Sequence, residues 1–323
     1  MKRNHHIAPS LLSFTLFFLL SCVEENTFDA KQYVLSFTPM VYTNVSTLSF
    51  TASDISTVTV DITCNSSWGA SSSDSWLTVG PPSGWGNAQL KVWVTRNSDS
   101  SPRTGTITVV CRGITKTISV TQAGFHECVD LGLPSGLLWA TTNVGAEKPE
   151  DYGDYFAWGE TTTKSTYWWD TYKWCNGSDS TLTKYNTSSD YGTVDSKTIL
   201  ELSDDAANVN WGDSWRMPMH NEWAELCNTD YCIWTWTTRG GHNGYEVTSK
   251  SNGNSIFLPA AGYCWDTYLS YHVGDYGEYW SSSLREGDPD DACDMTFNSG
   301  GVYGRWSYFT RYYGFSVRPV CRP

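Results

Sequence analysis

Between residues 45 and 124, the chain alternates apolar and polar residues in short runs. Each run has a period of two and is bounded by Gly, Pro, Asn or Ser, which is typical of strands with one buried and one exposed face. The runs are Leu48–Ala52, Val58–Cys64, Leu90–Val94, Gly105–Cys111 and Thr117–Val120. The stretch has no helical period. The pattern therefore predicts an all-β sandwich of two antiparallel sheets over residues 45–124.

From residue 125 onward, the regular runs give way to long loops rich in Gly and Ser. The segments expected to be helical are residues 204–210 and 219–228. Pro218 precedes the second of them, and Trp223 and Leu226 share one of its faces. The expected core strands, each ending in proline, are Ile256–Pro259 and Phe315–Pro319. A second domain of the α+β class is expected over residues 125–323.

The first 22 residues form a separate segment. Lys2 and Arg3 precede an apolar stretch at residues 11–20, which is the order found in secretory signals. This stretch is far shorter than the ~20 apolar residues of a membrane-spanning helix. It closes on Leu19-Leu-Ser-Cys22, which resembles the lipobox of bacterial lipoproteins.

The lipobox resemblance implies a signal peptide over residues 1–21 and an acylated Cys22 that anchors the chain without spanning the membrane. The alternative is a plain secretory signal with an incidental cysteine. Residues 22–44 follow as a polar tether. Glu24 and Glu25 resemble the surface-export signal of lipoproteins in the Bacteroidetes, which implies an outer-membrane lipoprotein exposed at the cell surface.

Composition narrows the class of partner. The 323 residues include 17 Trp and 19 Tyr, whereas charged residues make up only 17%. Since two small cores need fewer rings, some are expected at the surface, where they can stack on the apolar faces of sugars. The net charge is −13, and residues 125–323 carry 27 acidic and 13 basic side chains. Nucleic acid is not an expected partner, because affinity for it depends on clustered Lys and Arg.

The order of residues in the first domain resembles a known family. The matching positions are Trp68, Ser75-Trp76-Leu77, Pro82-Ser-Gly84, Gly86-Asn87, Asn97, Arg103–Ile107 and Val120–Gly124. They resemble the BACON domain, which implies an immunoglobulin-like sandwich of surface proteins in gut bacteria that binds carbohydrate or mucin, or serves as a spacer. Trp85 lies between two glycines and is the candidate for an exposed stacking ring, whereas Trp76 is expected in the core.

The second domain also resembles a family. The segments that carry the resemblance are Cys128–Ala146, Tyr155–Glu160, Asp204–Ala207, Trp211–Pro218, Asn221–Leu226, Ile256–Tyr263, Tyr279–Ser283 and Gly314–Val320. In residues and order they are similar to the Fibrobacter succinogenes major paralogous domain. This resemblance implies a C-type-lectin-like fold, which is shared with the formylglycine-generating enzymes.

Four cysteines are candidates for disulfides. Cys64 and Cys111 each end a predicted strand of the sandwich, and either a disulfide or two buried thiols would fit this position. In the lectin-like fold the terminal strands pair, which would bring Cys128 near Cys321. The second domain has seven cysteines, so at least one stays unpaired.

Residues with catalytic chemistry are sparse, and we expect neither a catalytic site nor a cofactor. Formylglycine-generating enzymes work through a pair of cysteines in a late loop, whereas Cys293 stands alone there. Glu222 and Glu225 share a helix face like paired carboxylates, but in this family signature Glu222 bonds the backbone or Arg216. The sequence has no Cys-x-x-Cys pair and no His at metal-ligand spacing with a Cys.

An acidic loop is a candidate calcium site. Its carboxylates are Asp288, Asp290, Asp291 and Asp294, and Ca²⁺ takes roughly six to eight oxygens. The Glu-Pro-Asn and Trp-Asn-Asp segments of sugar-binding C-type lectins are absent. A solvated acidic loop is the favoured interpretation, and calcium is the alternative.

The aromatic loops carry the functional hypothesis. Trp168 and Trp169 are adjacent, and because neighbours on a strand face opposite sides, one of the two rings is expected to be exposed or to cover a loop. The candidates for glycan binding are Trp85, Trp168, Trp169, Trp174, Trp234 and Trp236, and further rings come from Trp265, Tyr268 and Tyr271. The alternative is that these rings pack within their own loops.

Two functions fit the sequence. The first is a surface-anchored, non-catalytic binding or adhesion module for glycan or a surface protein. The second is a structural component of a cell-surface assembly, in which the BACON-like domain is a spacer.

Overall fold

The computed structural model describes residues 38–212, 214–303 and 307–323. Its strands and helices lie in one compact unit, Pro39–Pro323. The expected signal peptide, Cys22 and most of the tether lie outside the described residues. Within the described residues, no helix is long and apolar enough to cross a membrane. The fold is rich in β-strands and has few helices.

Nine strands form two sheets that share one core. They are β1 (Val41–Thr43), β2 (Thr47–Phe50), β3 (Val58–Cys64), β4 (Ser67–Ser72), β5 (Leu77–Gly80), β6 (Ser83–Trp85), β7 (Ala88–Val94), β8 (Arg103–Cys111) and β9 (Ile114–Gln122). One sheet has the order β1-β3-β7-β5 and the other β2-β9-β8-β4-β6. In β3, Val60 and Ile62 point into the core while Thr59 and Asp61 face solvent, as the alternation predicts.

The first strand begins inside the segment that the sequence placed in the tether. Val41–Thr43 form β1, and Val41 is buried where it pairs with Cys64 of β3. Three residues are too few for a period of two to be recognised in the sequence. The ordered fold therefore begins before residue 45.

The second region contains the remaining strands and two helices. The strands are β10 (Cys128–Asp130), β11 (Leu138–Ala140), β12 (Tyr155–Phe156), β13 (Cys232–Arg239), β14 (His242–Ser249), β15 (Ser255–Pro259), β16 (Tyr263–Trp265), β17 (Tyr268–Tyr271), β18 (Tyr276–Leu284), β19 (Asp291–Asn298), β20 (Gly301–Val302), β21 (Ser307–Thr310), β22 (Phe315–Ser316) and β23 (Val320–Cys321). The helices are α1 (Ala206–Trp211) and α2 (His220–Leu226). The sheets are β10-β11-β23, β13-β14-β15, β16-β17, and β12-β22-β18-β19-β20 with β21 also paired to β19.

Both helices lie where the sequence predicts them. Asp205 caps α1 by accepting hydrogen bonds from the backbone N–H groups of Ala207 and Asn208. In α2, Trp223 and Leu226 are fully buried on one face. The helix packs with this face toward β18 and β19.

A buried arginine connects separate segments of the second region. Arg318 is fully buried and donates hydrogen bonds to Asn143 Oδ1 at 2.9 Å, to the carbonyl of Ala140 at 3.2 Å and to the carbonyl of Phe257 at 3.0 Å. Ala140 belongs to β11 and Phe257 to β15. One side chain thus supplies donors to buried acceptors from different parts of the chain.

The two cysteines of the sandwich lie side by side. Cys64 and Cys111 lie at the ends of β3 and β8, with their sulfur atoms 3.0 Å apart as thiols. Hydrogen bonding with Cys64 raises the pKa of the Cys111 thiol above its ordinary value.

Cys128 and Cys321 also approach each other, but the terminal strands do not pair directly. Instead, β10 and β23 pair with the two edges of β11. The hydrogen bond between the two thiols lowers the pKa of Cys128 to about 7. The expected proximity is therefore achieved through a shared middle strand.

Candidate ligand-binding surface

The hairpin of β16 and β17 carries aromatic rings to the surface. Trp265 and Tyr268 pair across its two-residue turn, where Asp266 has a left-handed backbone conformation with φ 52°. Asp enters this region more readily than most residues. Asp266 exchanges two backbone hydrogen bonds with Tyr167, at 2.8 and 2.9 Å. This bridge fixes the hairpin tip beside the loop that carries Trp168.

Burial of Tyr167 turns the next ring outward. The Tyr167 ring lies against Gly314, where a Cβ atom would come within 2.5 Å of it. Trp168 is 40% exposed, whereas Trp169 is half-buried against Tyr312. Trp168 is thus the more exposed of the adjacent tryptophans, which lie at the start of a 3₁₀ turn, Trp169–Thr171, and not on a strand as the sequence reasoning assumed.

Trp168, Trp265, Tyr268 and Tyr271 form a continuous row of rings, which we call the aromatic ridge. Successive ring centroids lie 6.3, 6.0 and 6.1 Å apart, and the rings of Trp265 and Tyr268 are nearly parallel, at 16°. Tyr268 and Tyr271 are 57% and 41% exposed. The ridge therefore presents uncharged apolar faces together with tyrosine hydroxyls, which can donate and accept hydrogen bonds.

The base of the ridge is anchored in the fold. The ring of Tyr263, on β16, lies 5.4 Å from that of Tyr271 and 6.2 Å from that of Phe309. Burial raises the pKa of Tyr263 to about 12, so its hydroxyl remains protonated at neutral pH. The rings at the surface are thus supported by a neutral aromatic layer beneath them.

The other predicted rings of this region do not join the ridge. Trp174 is half-buried and donates its indole N–H to the carbonyl of Gly159 at 2.7 Å. Trp234 donates to the carbonyl of Leu226 at 3.0 Å, and Trp236 packs partly buried against the same core. These contacts hold the three rings within the fold.

Trp85 is a separate exposed ring in the sandwich. It ends β6, the edge strand of its sheet, and is 72% exposed. The preceding Gly84 leaves space for Trp68, whose ring a Cβ atom at this position would approach within 2.4 Å. Trp76, expected in the core, is only partly buried and lies under the guanidinium of Arg103 at 4.5 Å.

The acidic loop is held by an arginine. Arg285 forms ion pairs with Asp288 at 2.8 Å and with Asp291 at 2.7 Å. Asp290 is half-buried, and Asp294 is fully buried further along β19. Within the part of the chain that the structure describes, no group of three or more His, Cys, Asp or Glu side chains is placed to hold a metal ion. Two carboxylates of the loop thus form ion pairs with Arg285. Among the described residues, the acidic loop does not provide a group of side chains placed to bind calcium.

Glu222 has the structural role that the sequence predicts. Its two carboxylate oxygens accept hydrogen bonds from Arg216 at 2.7 and 2.6 Å, and one of them also accepts from the backbone N–H of Met219 at 2.7 Å. Glu225 instead accepts from the backbone N–H of Ser135 at 2.9 Å. The carboxylates of Glu222 and Glu225 therefore bind different partners and do not act as a pair.

A buried acidic pair, Glu278 and Asp294, was missed by sequence reasoning. The hydroxyl of Thr296 contacts both carboxyl groups. Its oxygen lies 2.6 Å from Oδ2 of Asp294. Because a hydroxyl has one proton, one carboxyl group must donate a hydrogen bond in return. Burial raises the pKa of Asp294 to about 7 and also raises that of Glu278. The signal in the sequence was an acidic residue directly before large apolar residues, Glu278 before Tyr279-Trp280 and Asp294 before Met295.

Comparison with protein families supports one part of the sequence analysis. Residues 66–123 match the model of the BACON family, whose description is "Putative binding domain, N-terminal". This match supports the BACON resemblance. No curated protein matches the chain.

Three solved structures show limited similarity. A Bacteroides ovatus GH5 xyloglucanase in complex with a XXXG heptasaccharide is 26% identical over 29% of this chain and 21% of its own, with a TM-score of 0.26. A protein from Bacteroides thetaiotaomicron, solved by NMR, is 16% identical over 25% of this chain and 79% of its own, with a TM-score of 0.19. Domains 5–6 of the S-layer protein SbsC are 9% identical over 87% of this chain and 98% of their own, with a TM-score of 0.22.

Proposed function

We propose that this chain is a surface-anchored, non-catalytic binding module that recognises glycan through the aromatic ridge. The observation that carries the proposal is the continuous row of four partly exposed rings from Trp168 to Tyr271. Rings of this kind lose little conformational entropy on binding and offer flat apolar faces. The binding role in the description of the BACON family supports the same class of function.

The proposal also covers the fold of each domain and the location of the chain in the cell. The first domain is an immunoglobulin-like sandwich and the second a C-type-lectin-like domain. An acylated Cys22 anchors the chain to the outer membrane at the cell surface. Cys22→Ala should release the protein from the membrane fraction or leave its signal uncleaved. A variant that partitions and migrates like the parent would contradict the anchor.

A structural role is the second candidate, and the joint between the two regions favours it. Phe125, the first residue of the second region, donates its backbone N–H to the carbonyl of Asp99 at 2.7 Å, and its ring centre lies 4.4 Å from the guanidinium of Arg96. His126 stacks on Trp211 with their ring centroids 3.7 Å apart. A packed joint of this kind suits a spacer that holds the second region in a fixed orientation.

A glycan array with the soluble chain, residues 23–323, tests the proposal. We expect binding to neutral polysaccharides that falls at least about tenfold in Tyr268→Ala and in Trp168→Ala, because removal of a central ring at an interface typically costs more than 1 kcal/mol. Tyr303→Ala is the matched control, since it removes a 53% exposed ring outside the ridge that is not a candidate for glycan binding. If no glycan binds, or if the ridge variants bind like the parent, the structural role takes precedence.

A further inference from the structure

A cleft of about 930 Å³ lies between α2 and the loop from β18 to β19. Its lining residues are His220, Asn221, Ala224, Ser283, Leu284, Arg285, Glu286, Cys293 and Tyr308. Neighbouring residues of a strand face opposite sides, so Tyr308 lines the cleft while Phe309 packs on Tyr263 beneath the ridge. The cleft and the ridge are therefore separate surfaces, on opposite faces of β21.

The walls of the cleft include small apolar groups. Ala224 and Leu284 contribute aliphatic surface. The thiol of Cys293 lies 3.4 Å from the carbonyl oxygen of Leu284, and burial raises the pKa of this thiol to about 12. Cys293 is therefore a neutral part of the wall, because a nucleophilic cysteine needs an accessible thiolate.

The polar groups of the cleft include a fixed arginine. Arg285 is held by its two ion pairs with Asp288 and Asp291, and its guanidinium stacks 4.8 Å from the centre of the Tyr308 ring. A guanidinium has five N–H donors, so donors remain after these two contacts. The side chain is thus oriented before any ligand arrives.

The remaining polar groups supply both donors and acceptors. Asn221 and Glu286 are exposed and offer an amide and a carboxylate. Arg285 and Glu286 carry opposite charges, and Asp288 and Asp291 already pair with Arg285. An anion would be repelled by Glu286 and by the carboxylates that hold Arg285. A purely apolar ligand would be disfavoured because it would remove water from the polar groups without replacing their hydrogen bonds.

We propose that this cleft binds a single neutral sugar ring. Such a ring has an apolar C–H face for the aliphatic walls and hydroxyl groups that both donate and accept hydrogen bonds. The volume of the cleft lies within the range of small-molecule sites, roughly 300–1,000 Å³. The inference shares its ligand class with the proposed function, but it rests on different residues and does not require binding at the ridge.

The test uses single sugars on the soluble chain, residues 23–323. The probes are the methyl glycosides of glucose, galactose, mannose, xylose and N-acetylglucosamine, measured by saturation-transfer NMR and then by titration. Ala224→Leu adds bulk to the cleft wall and keeps a residue that favours a helix. We expect it to raise the dissociation constant of the bound glycoside at least about tenfold, as for loss of a central contact.

Two further variants keep the proposal falsifiable. Asn221→Ala removes an exposed side chain of the cleft and should also weaken binding. It serves as the test if Ala224→Leu fails to fold. Tyr303→Ala removes a 53% exposed ring outside both the cleft and the ridge and should leave the affinity for the glycoside unchanged. The proposal is overturned if no glycoside binds, if both cleft variants bind like the parent, or if Tyr303→Ala weakens binding as much as they do. Loss of polysaccharide binding in the ridge variants alone would concern the ridge and not the cleft.

Discussion

The two regions of the described chain bury different chemistry. In the sheets up to Gln122, the core consists of inward-facing apolar side chains, and the buried polar residues Ser66, Asn97 and Gln122 are uncharged. The second region also buries ionisable side chains, which are Glu160, Asp204, Asp205, Glu222, Glu278, Asp294, Arg311 and Arg318. A regular sheet satisfies its backbone through its own ladder, whereas long loops need side chains to bond their buried carbonyl and N–H groups. The second region therefore depends on particular polar contacts, and the first on pattern and volume.

Arg318→Met should have the largest effect on stability. The substitution keeps much of the aliphatic volume but removes the donors to Asn143, Ala140 and Phe257, which leaves buried acceptors unpaired. We expect the free energy of unfolding of the second region to fall by about 3–5 kcal/mol, because each buried acceptor left without a donor costs about 1–3 kcal/mol. Denaturant unfolding followed by tryptophan fluorescence measures this loss. A loss under about 1 kcal/mol would show that the buried charge is dispensable and would remove the contrast between the regions.

The buried acidic pair predicts a pH dependence of the second region. The pKa of Asp294 is raised to about 7 and that of Glu278 is raised as well, so both favour the protonated form in the folded state. Their stabilising contribution is fully present below the pKa of the unfolded carboxyl groups and is lost as the pH rises through the folded values. Between pH 5 and pH 8 the free energy of unfolding should therefore fall, by about 2 kcal/mol.

Glu278→Gln is the variant that isolates this effect. It keeps the shape of the side chain but removes one titrating group, so the dependence on pH should become flatter. Thermal unfolding across the same range measures it, with Glu225→Gln, a partly buried carboxyl group of α2 outside the acidic pair, as the control. An equal slope in Glu278→Gln and in the parent would assign the pH dependence to other groups.

The same difference explains how much of the structure the sequence could predict. A period of two identified strands such as Val58–Cys64, and the spacing of Trp223 and Leu226 identified α2. The expectation for Trp168 and Trp169 assumed a strand, whereas the structure has a 3₁₀ turn at Trp169–Thr171, so local pattern did not decide which of the two rings is exposed. What the sequence could not provide was the pairing of distant segments, because this depends on tertiary contacts rather than on local periodicity.

The site shows this limit most clearly. Trp265 and Tyr268 were recognised as further rings, but their place beside Trp168 depends on the backbone bridge between Tyr167 and Asp266. The cleft likewise combines α2, β18, β19 and β21, which are separated along the chain. Neither arrangement leaves a local pattern in the sequence.

Ile107→Val tests how well the core of the first region tolerates a smaller side chain. Ile107 is fully buried on β8, and valine keeps its β-branched shape while removing one methylene group. We expect a loss of about 0.5–1.5 kcal/mol, clearly smaller than for Arg318→Met. The measurement is the midpoint of chemical unfolding at constant slope. A loss equal to that of Arg318→Met would indicate that the sandwich core is as specific as the polar contacts of the second region.

Tyr268→Ala should have the smallest effect on stability, although it lies in the proposed binding surface. Its ring is 57% exposed, and its hairpin is held by backbone bonds between Asp266 and Tyr167 that the substitution leaves intact. We expect a change in the free energy of unfolding within about 0.5 kcal/mol, as for surface positions without special contacts. Thermal unfolding of Tyr268→Ala beside Trp234→Ala provides the contrast, because the Trp234 ring packs on the core and bonds Leu226. If Tyr268→Ala lowers stability as much as Trp234→Ala does, the ridge is part of the scaffold, and its exposed rings are not free to serve a ligand.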